Sequence, residues 1–212
     1  IIGGLQDNGT VFTNSTNSKA NWASPGLRDG SYCAIAKNGM YYMSRQQGRI
    51  GRFELDANGN VQKYTRIDPK GVPKDDYLFI NPFVLDPTDN NIMYLPAKKI
   101  LWRCSDLTLT PWGSWDTNAT SSMGWDSLPQ TRIDTVISAV GVTSFPAHRV
   151  YYGTQNGKLY RLDSANVGNP KPVLISPTNF PTANIECIAV NPRNADSVVV
   201  VFSNYNVQSL YF

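Results

Sequence analysis

Two carboxylates, Asp7 and Asp29, form the one constellation in this sequence with a route to catalysis. Each lies in a glycine-bearing turn beside an apolar run, Gln6-Asp7-Asn8-Gly9 and Arg28-Asp29-Gly30, where a β-structure presents side chains at its end. Glycoside hydrolysis needs only two carboxylic groups held at the right separation about the scissile bond, one giving a proton and one acting as base or nucleophile. The same two residues also have a structural reading, because a carboxylate in a tight turn accepts bonds from nearby backbone N–H groups and caps it. Gln6, Asn8, Arg28 and Tyr32 adjoin them and would offer amide, guanidinium and phenol groups to a ligand.

Sugar binding without cleavage asks for aromatic faces beside amides and charges. The chain has 11 Tyr and 5 Trp. Trp22, Trp112, Trp115 and Trp125 fall in polar stretches and are the candidate platforms, Trp125 being added to the ligand-binding set. The competing reading is that such rings pack beneath their own loops as satellite cores. Other chemistries find no footing. The single histidine, His148, sits in the turn Phe145-Pro146-Ala147-His148-Arg149, and no Gly-x-Ser-x-Gly elbow accompanies it, so it reads as an ordinary turn residue. Cys33, Cys104 and Cys187 are each embedded in an apolar run without CxxC spacing, which reads as small buried hydrophobes rather than metal ligands. No cofactor is expected.

The elements that must hold these residues repeat. Tyr32–Leu55, Pro82–Cys104, Ala139–Leu162 and Cys187–Phe212 each run apolar strand, polar turn, apolar strand, second turn, third strand. Asn-Gly pairs at Asn8, Asn38, Asn58 and Asn156 supply the positive φ that tight hairpins require. Leu85–Tyr94 and Val190–Val199 share an Asp/Asn-Pro turn between strands. A strand-built period of roughly 40 to 50 residues is the mark of a β-propeller. The expected fold is therefore all-β, a propeller segment of three to four blades, with repeats at 1–68, 77–134, 135–178 and an incomplete 184–212, centred near Tyr42, Met93, Tyr152 and Val199. The opening Ile1-Ile2-Gly3-Gly4 and the closing Ser209–Phe212 run read as mid-strand, so the remainder of a larger ring is the first expected partner.

Charge is close to balance, 19 basic against 16 acidic residues, and the basic ones are scattered along the sequence. That pattern speaks for no nucleic-acid partner, and the absence of a long apolar run speaks for no membrane insertion. Long polar stretches, Asn14–Arg28, Asp106–Arg132 and Ser164–Asn184, separate the strand groups and contain most of the tryptophans. Asn-x-Ser/Thr sequons occur at Asn8, Asn14 and Asn118.

The runs Ile2–Thr10 (IGGLQDNGT), Asp29–Tyr32 (DGSY), Phe79–Pro87 (FINPFVLDP), Arg149–Arg161 (RVYYGTQNGKLYR) and Ile188–Pro192 (IAVNP) resemble the sortilin-like, BNR-repeat propellers of secreted bacterial proteins, Bacteroidetes-type ones above all. The superfamily includes xyloglucan-cleaving glycoside hydrolases, whose catalytic acids are aspartates from different blades facing across a cleft. The turns Leu55–Val61 (LDANGNV) and Ser105–Trp115 (SDLTLTPWGSW) depart from the Asp-box of that group. The resemblance implies a secreted or cell-surface protein serving as a non-catalytic scaffold or recognition module for polysaccharide or a surface protein. Its alternative is the propeller part of a glycoside hydrolase acting on β-glucan or xyloglucan through paired aspartates, although no catalytic motif of those hydrolases maps onto Asp7 or Asp29.

Overall fold

The computed structural model of the chain describes residues 1–113 and 121–212; Trp115 and the Asn118 sequon lie outside the described residues. The described chain is all-β, interrupted only by short 3-10 turns at Lys74–Asp76 and Pro129–Thr131. It divides into two compact units, one of Ile1–Asn81 with Leu107–Gly124, the other of Pro82–Asp106 with Trp125–Phe212.

The first unit holds two antiparallel meanders. Strands β1 (Ile2–Leu5), β2 (Gly9–Phe12) and β3 (Ala23–Gly26) make a three-stranded sheet, and β4 (Gly30–Ile35), β5 (Tyr41–Arg45), β6 (Ile50–Leu55) and β7 (Val61–Arg66) a four-stranded one. The segment 1–68 thus carries two sheets. Glycines let them touch backbone to backbone. A Cβ on Gly30 would sit 2.0 Å from the Gly9 carbonyl oxygen, and one on Gly4 2.0 Å from that of Ser31. Gly9 in addition has φ 73°, the left-handed turn conformation that a side chain disfavours. Met43, Phe53 and Tyr64 form the core of the four-stranded sheet, with the Phe53 and Tyr64 rings 4.9 Å apart.

Three further meanders make the second unit. They are β8 (Val84–Leu85) through β9 (Met93–Ala97), β10 (Ile100–Cys104) and β11 (Trp125–Leu128); β12 (Ile137–Val142) through β13 (Val150–Thr154), β14 (Leu159–Leu162) and β15 (Val173–Leu174); and β16 (Ile185–Asn191), β17 (Asn194–Phe202) and β18 (Leu210–Tyr211). Tyr42, Met93, Tyr152 and Val199 fall in β5, β9, β13 and β17, each the second strand of its sheet.

Strand periodicity explains why β13 is buried along its whole length. Alternate side chains leave opposite faces. Val150 and Tyr152 join Tyr94, Leu101 and Leu128 in one core, while Tyr151 joins Ile185, Val200 and Phe202 in another. The sheet β12–β15 is therefore the middle layer of its unit. All three cysteines are free thiols. Cys104 is buried, as its apolar run suggested, but Cys33 is half-buried and Cys187 exposed. A register shift between Ile185 and Cys187 breaks the alternation and turns Cys187 outward while Ile185 and Ile188 stay in the core.

Candidate functional site

The turns singled out in the sequence meet in the first unit. Tight packing of β1 and β2 against β4 brings Asp29 to Asp7, whose backbone N–H donates to Asp29 Oδ1 at 3.0 Å. Asn8 Nδ2 donates to the Gln6 carbonyl at 3.1 Å. Asp7 and Arg28 both adopt left-handed backbone, φ 64° and 72°. Gln6, Asp7, Asn8 and Arg28 are exposed, and Asp29 and Tyr32 half-buried. The two aspartates are thus brought together as partners in one turn, with Asp29 acting as cap. Trp125 belongs to the other unit, in strand β11 rather than a loop, and is 8% exposed.

Beside this turn the fold assembles a group that the sequence does not display. Antiparallel alternation puts the starts of β4 and β6 and the ends of β5 and β7 at one end of the sheet. Gly30 pairs with Arg45, and Gly51 with Arg66. Arg28 precedes β4, Arg45 ends β5, Arg49 precedes β6 and Arg66 ends β7, so four arginines separated in sequence gather at that end. These four of the 19 basic residues, scattered along the chain, are clustered in space.

Arg45, Arg49 and Arg66 line a slot of about 20 Å³, enough for a water or so. Arg45 and Leu27 also border an adjoining open cleft of about 500 Å³, whose wall carries Ser24, Arg28 and Asn60. Arg66 is matched, its Nε and Nη2 each 2.7 Å from an oxygen of Asp68, which also accepts the Ile50 N–H. Burial holds the Arg45 guanidinium below the usual arginine range, and the neighbouring charges of Arg28, Arg49 and Arg66 add to the effect. Such a group favours a negative charge placed among it.

Among the described buried and half-buried arginines, only Arg45 and Arg49 have guanidinium groups without a hydrogen-bond acceptor. Arg52 donates to the carbonyls of Leu107 and, at 2.7 Å, Thr110. Arg103 donates to those of Ala165 and Gly168 at 2.9 and 3.0 Å. Arg149 bonds Asp163 and Asp196, and Arg161 bonds Asp163.

The other loop aromatics divide. Trp112 carries the Arg52 guanidinium 4.3 Å from its ring centroid, with Lys63 at 5.6 Å, so it packs on its own loop's anchor. Trp22 is 48% exposed next to the polar Thr13–Ser18 segment.

In the second unit, His148 is not the ordinary turn residue that its sequence context suggests. Its Nδ1 lies 2.8 Å from Oδ2 of fully buried Asp86. Asp86 also accepts Thr88 N–H at 2.9 Å and Thr88 Oγ1–H at 2.6 Å. A His–Asp pair orients an imidazole for acid–base work, but among the described residues no nucleophile faces it. The contact ties the turn after β8 to the turn after β12. Arg149 with Asp196 does the same between the turn after β12 and β17. The one sequence signal was the shared position of these turns in the repeat.

No family model matches the chain, and no curated protein is significantly similar to it.

Proposed function

We propose that the chain is a recognition module on a β-propeller plan, without hydrolytic activity of its own, in a secreted or cell-surface protein, and that it binds polysaccharide. Five antiparallel meanders of three or four short strands support the propeller plan, since a blade is a sheet of that kind. A repeated anchor supports it too. Arg52 in β6 and Arg103 in β10 each reach two carbonyls three residues apart in the loop following the next third strand, Leu107 and Thr110 or Ala165 and Gly168. The sortilin-like, BNR-repeat assignment rests on the quoted runs, Ile2–Thr10 and Phe79–Pro87 among them.

One observation carries the recognition reading: an open cleft bordered by the uncommitted guanidinium groups of Arg28 and Arg45, beside Ser24 and Asn60. Binding sites are concave surfaces on which a few polar groups converge. The hydrolase alternative draws less support, because Asp29 already spends an oxygen on the Asp7 N–H.

Affinity electrophoresis against a panel of soluble polysaccharides, with a reducing-end assay on the same mixtures, tests the proposal. Retention without release of reducing ends is the expected result. Hydrolysis abolished by Asp7→Asn or Asp29→Asn would overturn it in favour of a glycosidase, and no retention on any polymer would overturn the recognition reading.

A further inference from the structure

The geometry points to an anionic polysaccharide, bearing carboxylate or sulfate groups, as the occupant of the arginine-lined cleft; this rests on the recognition reading and names its ligand class. Elsewhere this protein gives its buried and half-buried arginines acceptors of their own. Arg52 and Arg103 are buried, and each donates to two backbone carbonyls. Arg66, Arg149 and Arg161 are half-buried, and each meets a carboxylate. Partial burial of a guanidinium costs solvation, which these partners return. Arg45 and Arg49 break the rule at one place, with Arg28 and Arg66 as neighbours of like charge. Asp29, beside Arg28 in sequence, is turned to the Asp7 backbone instead.

Crowded like charges oppose folding, and an anion placed among Arg28, Arg45 and Arg49 would relieve that repulsion. Planar guanidinium forks match the two oxygens of a carboxylate or sulfate ester. The slot shared by Arg45 and Arg49 is too small for a sugar ring, whereas the cleft that Arg45 also borders is not. A polymer would therefore lie in the cleft along Ser24, Arg28 and Asn60, and direct a charged substituent toward Arg45 and Arg49. Hydroxyl and amide groups beside the cations suit a charged sugar, whose carboxylate or sulfate sits among hydroxyls. Pro25, Leu27 and Val61 share the wall and offer the apolar contact on which a sugar ring face can rest, and an acidic peptide is the competitor that the test includes.

Calorimetric titration with β-glucan and xyloglucan (neutral), polygalacturonate (carboxylate), dextran sulfate (sulfate) and poly-glutamate tests the inference. Binding to polygalacturonate, dextran sulfate or both is expected, falling linearly in log affinity against log salt. Whether one or both bind separates the two anion sources. Arg45→Gln and Arg28→Gln should each weaken it by about tenfold or more, the loss of a charge-assisted bond. Thermal melting should show Arg45→Gln to be no less stable than the parent, since it relieves repulsion and breaks no described bond. Salt-insensitive binding of neutral glucan only, unchanged in Arg45→Gln, would overturn the anionic class while leaving the recognition module standing. Tighter binding of poly-glutamate than of any polysaccharide would overturn the ligand class, and binding of nothing would overturn both readings.

Discussion

His148 and Asp86 lie in turns of neighbouring sheets, and their 2.8 Å contact makes the histidine a tie between them. Asp86 does most of the structural work. It is wholly buried and accepts bonds from Thr88, Asp89 and His148. Asp86→Ala should destabilise the chain by about 3 kcal/mol, since it strands several donors at once. His148→Ala should cost about 1 kcal/mol, because its ring keeps access to water. Urea denaturation of the two variants checks the order, and equal losses would contradict this division of labour.

Arg103 anchors a loop, and its shape matters more than its charge. Its Nη1 donates to the carbonyls of both Ala165 and Gly168 while Nη2 reaches Asp126 Oδ2 at 3.4 Å, and a single Lys ammonium cannot occupy both nitrogen positions. Arg103→Lys should therefore lose about 2 kcal/mol of stability despite conserving charge. Faster proteolysis between Asp163 and Asn169 should accompany it. A variant as stable as the parent would mean that the loop is held by other contacts.

Strands were legible where packing writes a period into sequence, and illegible at sheet edges. Tyr42, Met93, Tyr152 and Val199 were found from apolar alternation and Asn-Gly turns, since central strands must fill cores. The edge strands β3, β11 and β15 hide inside the stretches Asn14–Arg28, Asp106–Arg132 and Ser164–Asn184. β3 reads Ala-Ser-Pro-Gly, which looks like a turn; an edge strand tolerates Pro25 because half its N–H groups need no partner. The site was hidden differently. Asp7 and Asn8 announce themselves as turn residues, but Arg28, Arg45, Arg49 and Arg66 have no common spacing and converge only through strand alternation. His148 was misread because its partner is 62 positions away.

At the centre of β13, adjacent residues should respond in opposite directions. The Tyr152 hydroxyl is buried among side chains without a hydrogen-bonding partner, and burial pushes its pKa up strongly. Tyr152→Phe removes an unmet polar group from a ring that is otherwise well packed, and should raise stability by about 1 kcal/mol. Gly153→Ala would set a Cβ 2.4 Å from Ile185 Cγ2, and should lower it by about 2 kcal/mol. Thermal melts of both variants are decisive, and a stabilising Gly153→Ala would mean that the two cores are looser than described.

Thiol reactivity should separate the three cysteines. Burial pushes the Cys33 thiol up to about 11, outweighing a bond from Thr10 that lowers it, and Cys104 is 1% exposed. Thiolate is the reactive form. Iodoacetamide at pH 8 should label exposed Cys187 first, half-buried Cys33 more slowly, and Cys104 only on unfolding. Peptide mass mapping reads the order, and labelling of Cys33 as fast as Cys187 would show that its surroundings do not suppress the thiolate.

The Asp56 turn should give the chain an acid-sensitive component of stability. Asp56 Oδ1 accepts the N–H groups of Asn58 and Asn60 at 2.9 and 2.8 Å, and Oδ2 accepts Asn60 Nδ2 at 2.9 Å. The bond from the Asn60 side chain, then that from its backbone, hold the Asp56 carboxyl below the usual aspartate range. A carboxyl with its folded pKa depressed contributes stability that is fully present above the unfolded value, and that is lost as pH falls through the folded value. In Asp56→Ala that contribution is missing at neutral pH. Its urea midpoint should lie below the parent's at pH 7, and the gap should narrow as pH falls below about 4, where the parent's carboxylate begins to protonate. A gap of constant size down to pH 2 would show that the aspartate holds the turn by shape alone and not by its charge.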